Sequence, residues 1–152
     1  MQTMQNHKQD LVSIIMPVYN SEAYIRTTLD SVLSQSYTNW ELWVADDLSQ
    51  DSSRKIIQEY TGKDSRIKAI YKESNSGSAD SRNQAIQKAE GRYISFLDSD
   101  DLWDYNFLEK QISYMQRNKA AFSCCSYRII DENGDEILKP HIVTPELVDY
   151  HT

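Results

Sequence analysis

Cysteine is almost absent from this 152-residue chain, and the only two, Cys124 and Cys125, are adjacent. That spacing rules out an ordinary structural disulfide between them and gives no zinc-ligand pattern, so a reducing, cytoplasmic setting is expected. Positive charge is also in deficit. Sixteen Lys and Arg against twenty-three Asp and Glu give a net charge of −7, and no basic stripe interrupts the sequence. This argues against a nucleic-acid partner and makes a metal intermediary the expected route to any phosphate ligand. No apolar run reaches membrane-spanning length, and the polar opening Met1 to Asp10 has the character of a flexible tail rather than a signal or an anchor. Glycine is scarce, and the first apolar run ends in Pro17-Val18-Tyr19-Asn20 without a glycine fingerprint, which argues against a Rossmann dehydrogenase.

What is present is alternation. The β-branched run Leu11 to Val18 reads as a strand buried on both faces and closed by Pro17. Asn20-Ser21-Glu22 supplies N-cap candidates for a helix carrying Ile25, Leu29, Val32 and Leu33. Trp40 to Ala45 reads as a second strand ending in Asp46-Asp47. Ser49 to Ser52 should then cap a helix with Ile56, Ile57 and Tyr60. Ile67 to Tyr71 is a third strand, and Asn75 to Ser78 turns into a helix through Ile86 and Ala89 that Gly91 stops. Tyr93 to Leu97 is a fourth strand, followed by a helix over Leu102 to Asn118. Ala121 to Ile130 returns as strand, and Asn133-Gly134 predicts a type I′ hairpin with an antiparallel Glu136 to Leu138. Past Lys139 the pattern thins to one weak helix start at Thr144-Pro145-Glu146. The expected architecture is α/β, a doubly wound and mainly parallel sheet over residues 11–138. Residues 139–152 are expected to open a further region that is incomplete here.

In such sheets ligands sit at the carboxyl ends of the strands. Three informative stretches converge there: Pro17 to Asn20, Asp46-Asp47, and Asp98-Ser99-Asp100-Asp101. On extended backbone Asp98 and Asp100 would share a face and grip one hard divalent cation whose remaining positions take phosphate oxygens. The plainer alternative is a solvated acidic turn capping the next helix. Tyr19 offers an aromatic face to a planar base or simply packs its loop. Asp47 suits a base N–H or a ribose hydroxyl, while Asp46 suits a helix cap. Arg82 is a cation placed between a glycine turn and the acidic cluster, fit to pair with a phosphate.

In order and spacing these stretches resemble the donor-binding part of family 2 glycosyltransferases of the GT-A fold. The resemblance runs from about Val12 to about Ile137. It rests on Val12 to Asn20, Gln35-Ser36-Tyr37, Glu41 to Asp47, Asn75-Ser76-Gly77 with Ala79, Arg82-Asn83, Ala89-Glu90-Gly91, and Leu97 to Asp101. The resemblance implies a donor site formed by Pro17, Tyr19, Asn20, Asp47, Arg82, Asp98 and Ser99. Within it Tyr19 and Asp47 hold the base, usually uracil, and Asp98 and Asp100 hold Mn2+ or Mg2+ on the donor diphosphate. It further implies inverting transfer from a nucleotide-diphosphate sugar to a glycan or lipid-linked acceptor, and peripheral membrane association of the whole protein at the cytoplasmic face; separately, apolar surface from Ala121 to Tyr127 is expected to be poorly covered and to favour a homo-oligomer. The catalytic base is not identifiable. Where the family usually has Gly-Ser after the Asp pair, this chain has Leu48-Ser49, so that turn is expected to adopt a conformation open to a bulky residue. A nucleotide-sugar-binding module without catalysis, or a magnesium-dependent phosphatase, are the alternative readings.

Overall fold

A computed structural model describes residues 10–131 and 134–141. Ten elements follow in order: β1 Val12–Val18, α1 Ile25–Leu33, β2 Trp40–Asp46, α2 Ser53–Lys63, β3 Ile67–Tyr71, α3 Ser78–Ile86, β4 Tyr93–Phe96, α4 Phe107–Asn118, β5 Tyr127–Ile130 and β6 Glu136–His141. The strands β3-β2-β1-β4 form one parallel sheet, and β5-β6 form an antiparallel pair. Two compact units divide between Glu109 and Lys110. Among the described residues no helix is long and apolar enough to cross a membrane.

The first unit is built as the alternation requires. Every residue of β1 is buried, and Ile14, Ile15 and Met16 are wholly so, because a central parallel strand is covered on both faces. Ile25, Leu29 and Val32 of α1 and Ile56, Ile57 and Tyr60 of α2 turn inward at helical spacing. Ile15, Ala45 and Ala85 join β1, β2 and α3, with Trp43, Ile70, Ile86 and Ala89 packed around them.

Pro17 would be out of place in a strand paired on both sides, and the sheet accommodates it. The β1–β4 register ends at Ile15 opposite Phe96, where Leu97 N–H donates to the Ile15 carbonyl at 3.1 Å. The next rung would use the N–H that Pro17 lacks, so β4 is free to leave the sheet there. That departure opens the acidic turn.

Several boundaries differ from expectation. Asn20 and Ser21 do not cap α1 by side chain; the Ser21 carbonyl accepts from Tyr24 and Ile25, and the helix begins at Ile25. Helix α3 ends at Ile86 rather than at Gly91. Gly91 matters for another reason, since a Cβ there would lie 2.6 Å from the Ser13 N and Oγ atoms. Its own N–H donates to Ser13 Oγ at 2.8 Å, so β1 and the lead into β4 meet at contact distance. Helix α4 starts at Phe107, not Leu102, because Gln35 holds the intervening chain: its amide donates to the Asp104 carbonyl at 2.8 Å and accepts from Leu108 N–H at 3.1 Å.

In the second unit, strand begins only at Tyr127, leaving Ala121 to Ser126 without regular structure, and β6 runs to His141. At the hairpin, Gly134 takes a φ of 85° and its N–H donates to the Asp131 carbonyl; Asn133 and the Thr144 to Glu146 segment lie outside the described residues. Phe122 and Tyr127 are largely exposed, and so are both cysteines.

Candidate functional site

The carboxyl edge of the sheet carries two groups of carboxylates in opposite states. The first is Asp46-Asp47 at the end of β2. Asp46 is fully buried and takes Arg54 of α2 at 2.7 Å, while its other oxygen accepts from Ser49 N–H at 3.3 Å. So it anchors α2 through Arg54 instead of capping it. Asp47 is only 4 % exposed and faces Lys72, equally buried, at 2.6 Å. Its two oxygens also accept from the N–H groups of Ser76 at 3.0 Å and Gly77 at 2.7 Å. Burial by itself would raise the Asp47 carboxyl, but Lys72 and the two amides outweigh it and hold the group below the usual range. Lys72 reaches on to Asp80 at 2.9 Å and to Ser81 at 3.2 Å. Burial would lower its ammonium, and the two carboxylates raise it. Asp80, held by the Ser76 hydroxyl, Lys72 and Gln84, falls to about 2. Asp47 therefore fastens the Asn75-Ser76-Gly77 turn through its buried carboxylate.

The second group follows β4. Asp98 to Asp101 form a turn closed by Asp101 N–H on the Asp98 carbonyl at 3.1 Å, not an extended segment, so the shared strand face expected for Asp98 and Asp100 is absent. The turn is pinned from below. Ser99 is buried, its hydroxyl is 2.7 Å from Ser21 Oγ, and its carbonyl accepts from Thr28 Oγ1 at 3.0 Å. Asp98, Asp100 and Asp101 are left exposed. Partial burial first, then the charges of Asp100 and Asp98, push the Asp101 carboxyl up. Among the described residues Arg82 of α3 is the one cation that pairs with this turn, through Asp98, and it also donates to Ser78 Oγ at 3.3 Å. Arg82, Phe96, Asp98 and Asp101 line a pocket of about 350 Å³.

Of the residues expected at the site, Tyr19 is half exposed beside this edge, and Arg82, Asp98 and Asp100 lie on it. The other four make contacts within the fold. Pro17 is buried in β1. Asn20, at a φ of 51°, ties two loops: its N–H donates to Ser49 Oγ at 3.0 Å and its side-chain oxygen accepts from Gln50 N–H at 2.8 Å. Ser99 and Asp47 are enclosed as described. Leu48 takes a φ of 66°, so the turn keeps the left-handed conformation that suits glycine, contrary to the expectation of a relaxed turn. Sequence reasoning passed over Lys72 and Thr28, and it quoted Gln35 without giving it a role. Their partners lie up to 73 positions away, and no local pattern marks them.

The acidic turn fits a hard divalent ion in the kind of donor it offers, carboxylate oxygen. Among the described residues no three His, Cys, Asp or Glu side chains converge as a ready-made metal cage. An ion there would draw its remaining ligands from water and from a bound phosphate.

A parallel sheet with an acidic turn, an arginine and an exposed tyrosine at its carboxyl edge has the architecture of a nucleotide-binding α/β domain. Solved structures refine this to the GT-A type. S. aureus TarS, in complex with UDP, is 34 % identical with a TM-score of 0.66, over 71 % of this chain and 32 % of that one. The mannosyltransferase PcManGT from Pyrobaculum calidifontis, in complex with GDP-Man and Mn2+, is 25 % identical with a TM-score of 0.59, over 62 % of this chain and 29 % of that one. The family model for glycosyl transferase family 2 matches residues 13–151, and the chain belongs to that family, whose members are enzymes of the transferase class. TuaG of Bacillus subtilis, named as a glycosyltransferase of teichuronic acid biosynthesis, is 45 % identical over 92 % of this chain. The Escherichia coli UDP-Glc:alpha-D-GlcNAc-diphosphoundecaprenol beta-1,3-glucosyltransferase WfgD is 46 % identical over 93 % of it. The chain spans 55 % and 54 % of the length of these two relatives.

Proposed function

We propose that this chain binds the donor for a glycosyl transfer, a UDP-linked sugar, at the carboxyl edge of its parallel sheet. The observation that carries the reading is the exposed turn Asp98 to Asp101, with three carboxylates, one arginine and a pocket beside them. Tyr19 would stack on the uracil, and the Asn75 to Gly77 turn that Asp47 fastens would shape the base and ribose side. Arg82 would pair with the diphosphate, where a fork of N–H donors suits phosphate oxygens. Asp98 and Asp100 would hold Mn2+ or Mg2+, and such an ion offsets the charge of the departing diphosphate. Support comes from TarS, solved with UDP and with UDP-GlcNAc, and from PcManGT, solved with Mn2+. In the whole protein the transfer would invert the anomeric centre and deliver sugar to a lipid-linked diphosphate or glycan acceptor at the cytoplasmic face of a membrane. WfgD is named for such an acceptor. Transfer also needs a base within reach of the acceptor hydroxyl, and none of the carboxylates described here is assigned that role.

A thermal-shift screen of UDP, ADP, GDP and CDP, with Mn2+ and with EDTA, tests the reading. Preferential stabilisation by UDP in the presence of Mn2+ is expected, since a ligand of the folded state raises apparent stability. Equal response to all four nucleotides, or none, sinks it.

A further inference from the structure

We propose that Arg82 is the resident counter-ion of Asp98, standing in for a divalent cation until the donor arrives, so that it weakens the binding of metal alone and strengthens the binding of metal with nucleotide. The inference rests on the donor-site reading above and goes past it by giving one residue two effects of opposite sign. Three observations support it. Asp98, Asp100 and Asp101 put three negative charges on one short turn, and among the described residues Arg82 is the one positive partner. Arg82 reaches Asp98 from α3, a different element, so the pair can part without disturbing the turn, which Ser21 and Thr28 hold independently through Ser99. Both side chains of the pair are partly open, 31 % for Arg82 and 50 % for Asp98, and both line the pocket. An ion pair this exposed is weak and can exchange partners.

The charges then dictate an order of events. A divalent cation approaching the turn alone meets Asp98 already paired, with a guanidinium repelling it. A nucleoside diphosphate gives Arg82 a better partner, two phosphate oxygens for its planar fork, and leaves Asp98 to the cation. Arg82 thereby couples the two ligands, each favouring the other by the same factor.

The test is the affinity of Mn2+ alone, followed by its electron paramagnetic resonance signal, for the wild type, Arg82→Gln and Arg82→Lys, each also titrated with UDP by calorimetry at saturating Mn2+. Arg82→Gln should bind Mn2+ alone about three- to tenfold more tightly and UDP about tenfold more weakly, with Arg82→Lys in between. In an Asp98→Asn background the gain in Mn2+ affinity should vanish, because the two changes act through one contact. Arg26→Gln, which removes a charge paired with Glu59 between α1 and α2, should leave both affinities alone. If the wild type binds UDP with Mn2+ but Arg82→Gln gains no affinity for Mn2+, the counter-ion role is overturned while the donor site stands. If the wild type binds no UDP under any condition, the donor-site reading falls.

Discussion

Asp46-Asp47 and Asp98 to Asp101 are carboxylate groups of one sequence type at one edge of one sheet, yet the fold treats them oppositely. The pair after β2 is buried and matched, Asp46 by Arg54 and Asp47 by Lys72 and two backbone amides. The cluster after β4 is exposed and carries more negative charge than its one arginine offsets. A compensated carboxylate builds structure, whereas an under-compensated one at a strand end is free to bind a cation. The proposed donor site lies on the under-compensated side.

The largest effect is expected at Lys72. Lys72→Met should destabilise the fold by about 3–5 kcal/mol in chemical denaturation, because it strands the buried Asp47 carboxylate. A loss no larger than that of a surface substitution would show that the β2 pair is not structural.

Acid sharpens the same contrast. Asp47 and Asp80 are both held below their ordinary values, so they stabilise the fold when ionised above about pH 4, and that contribution is lost as pH falls toward the folded-state values, about 2 for Asp80. Lys72, held above its ordinary value, contributes its full stabilisation below about pH 10, and that contribution is lost only as pH rises beyond it. Denaturation midpoints should therefore fall between pH 4 and pH 2. In Asp80→Asn that acid-dependent loss should be smaller.

Arg82→Gln, on the exposed side, should cost no more than about 1 kcal/mol of stability. A cost near that of Lys72→Met would erase the distinction between the two groups. Smallest of all is Leu48→Gly, which should stabilise by up to about 1 kcal/mol by relieving a left-handed backbone, offset in part by the greater freedom of the unfolded chain. A loss of stability there would mean that the leucine side chain contributes more than its backbone costs.

Much of this was legible in the chain. The β-branched runs and the helical spacing of Ile25, Leu29 and Val32 predict the alternation, and hence the edge at which ligands bind, because burial on two faces and on one face leave different periods. The site was legible as a set of residues but not as a geometry. Sequence places Asp98 and Asp100 two apart; that β4 ends at Phe96 depends on Pro17, some 80 positions earlier, withholding one N–H. Likewise nothing near Asp47 announces Lys72 as its partner, and Leu48 hides a positive φ that the glycine usual at its place in the family would have signalled, since a preference written in one residue yields to the hydrogen bonds around it. Helix starts were misplaced for the same reason. Ser21 is a good capping residue spent on Ser99, and Gln35 holds the chain ahead of α4 from another element.

Binding is proposed for the exposed turn and a supporting role for the buried pair. Calorimetric titration of UDP into wild type and Asp100→Asn at saturating Mn2+, alongside a denaturation curve for each, tests it most directly. The expected result is an unchanged denaturation midpoint and UDP affinity reduced at least about tenfold. Asp100→Asn binding UDP as tightly as the wild type would contradict it.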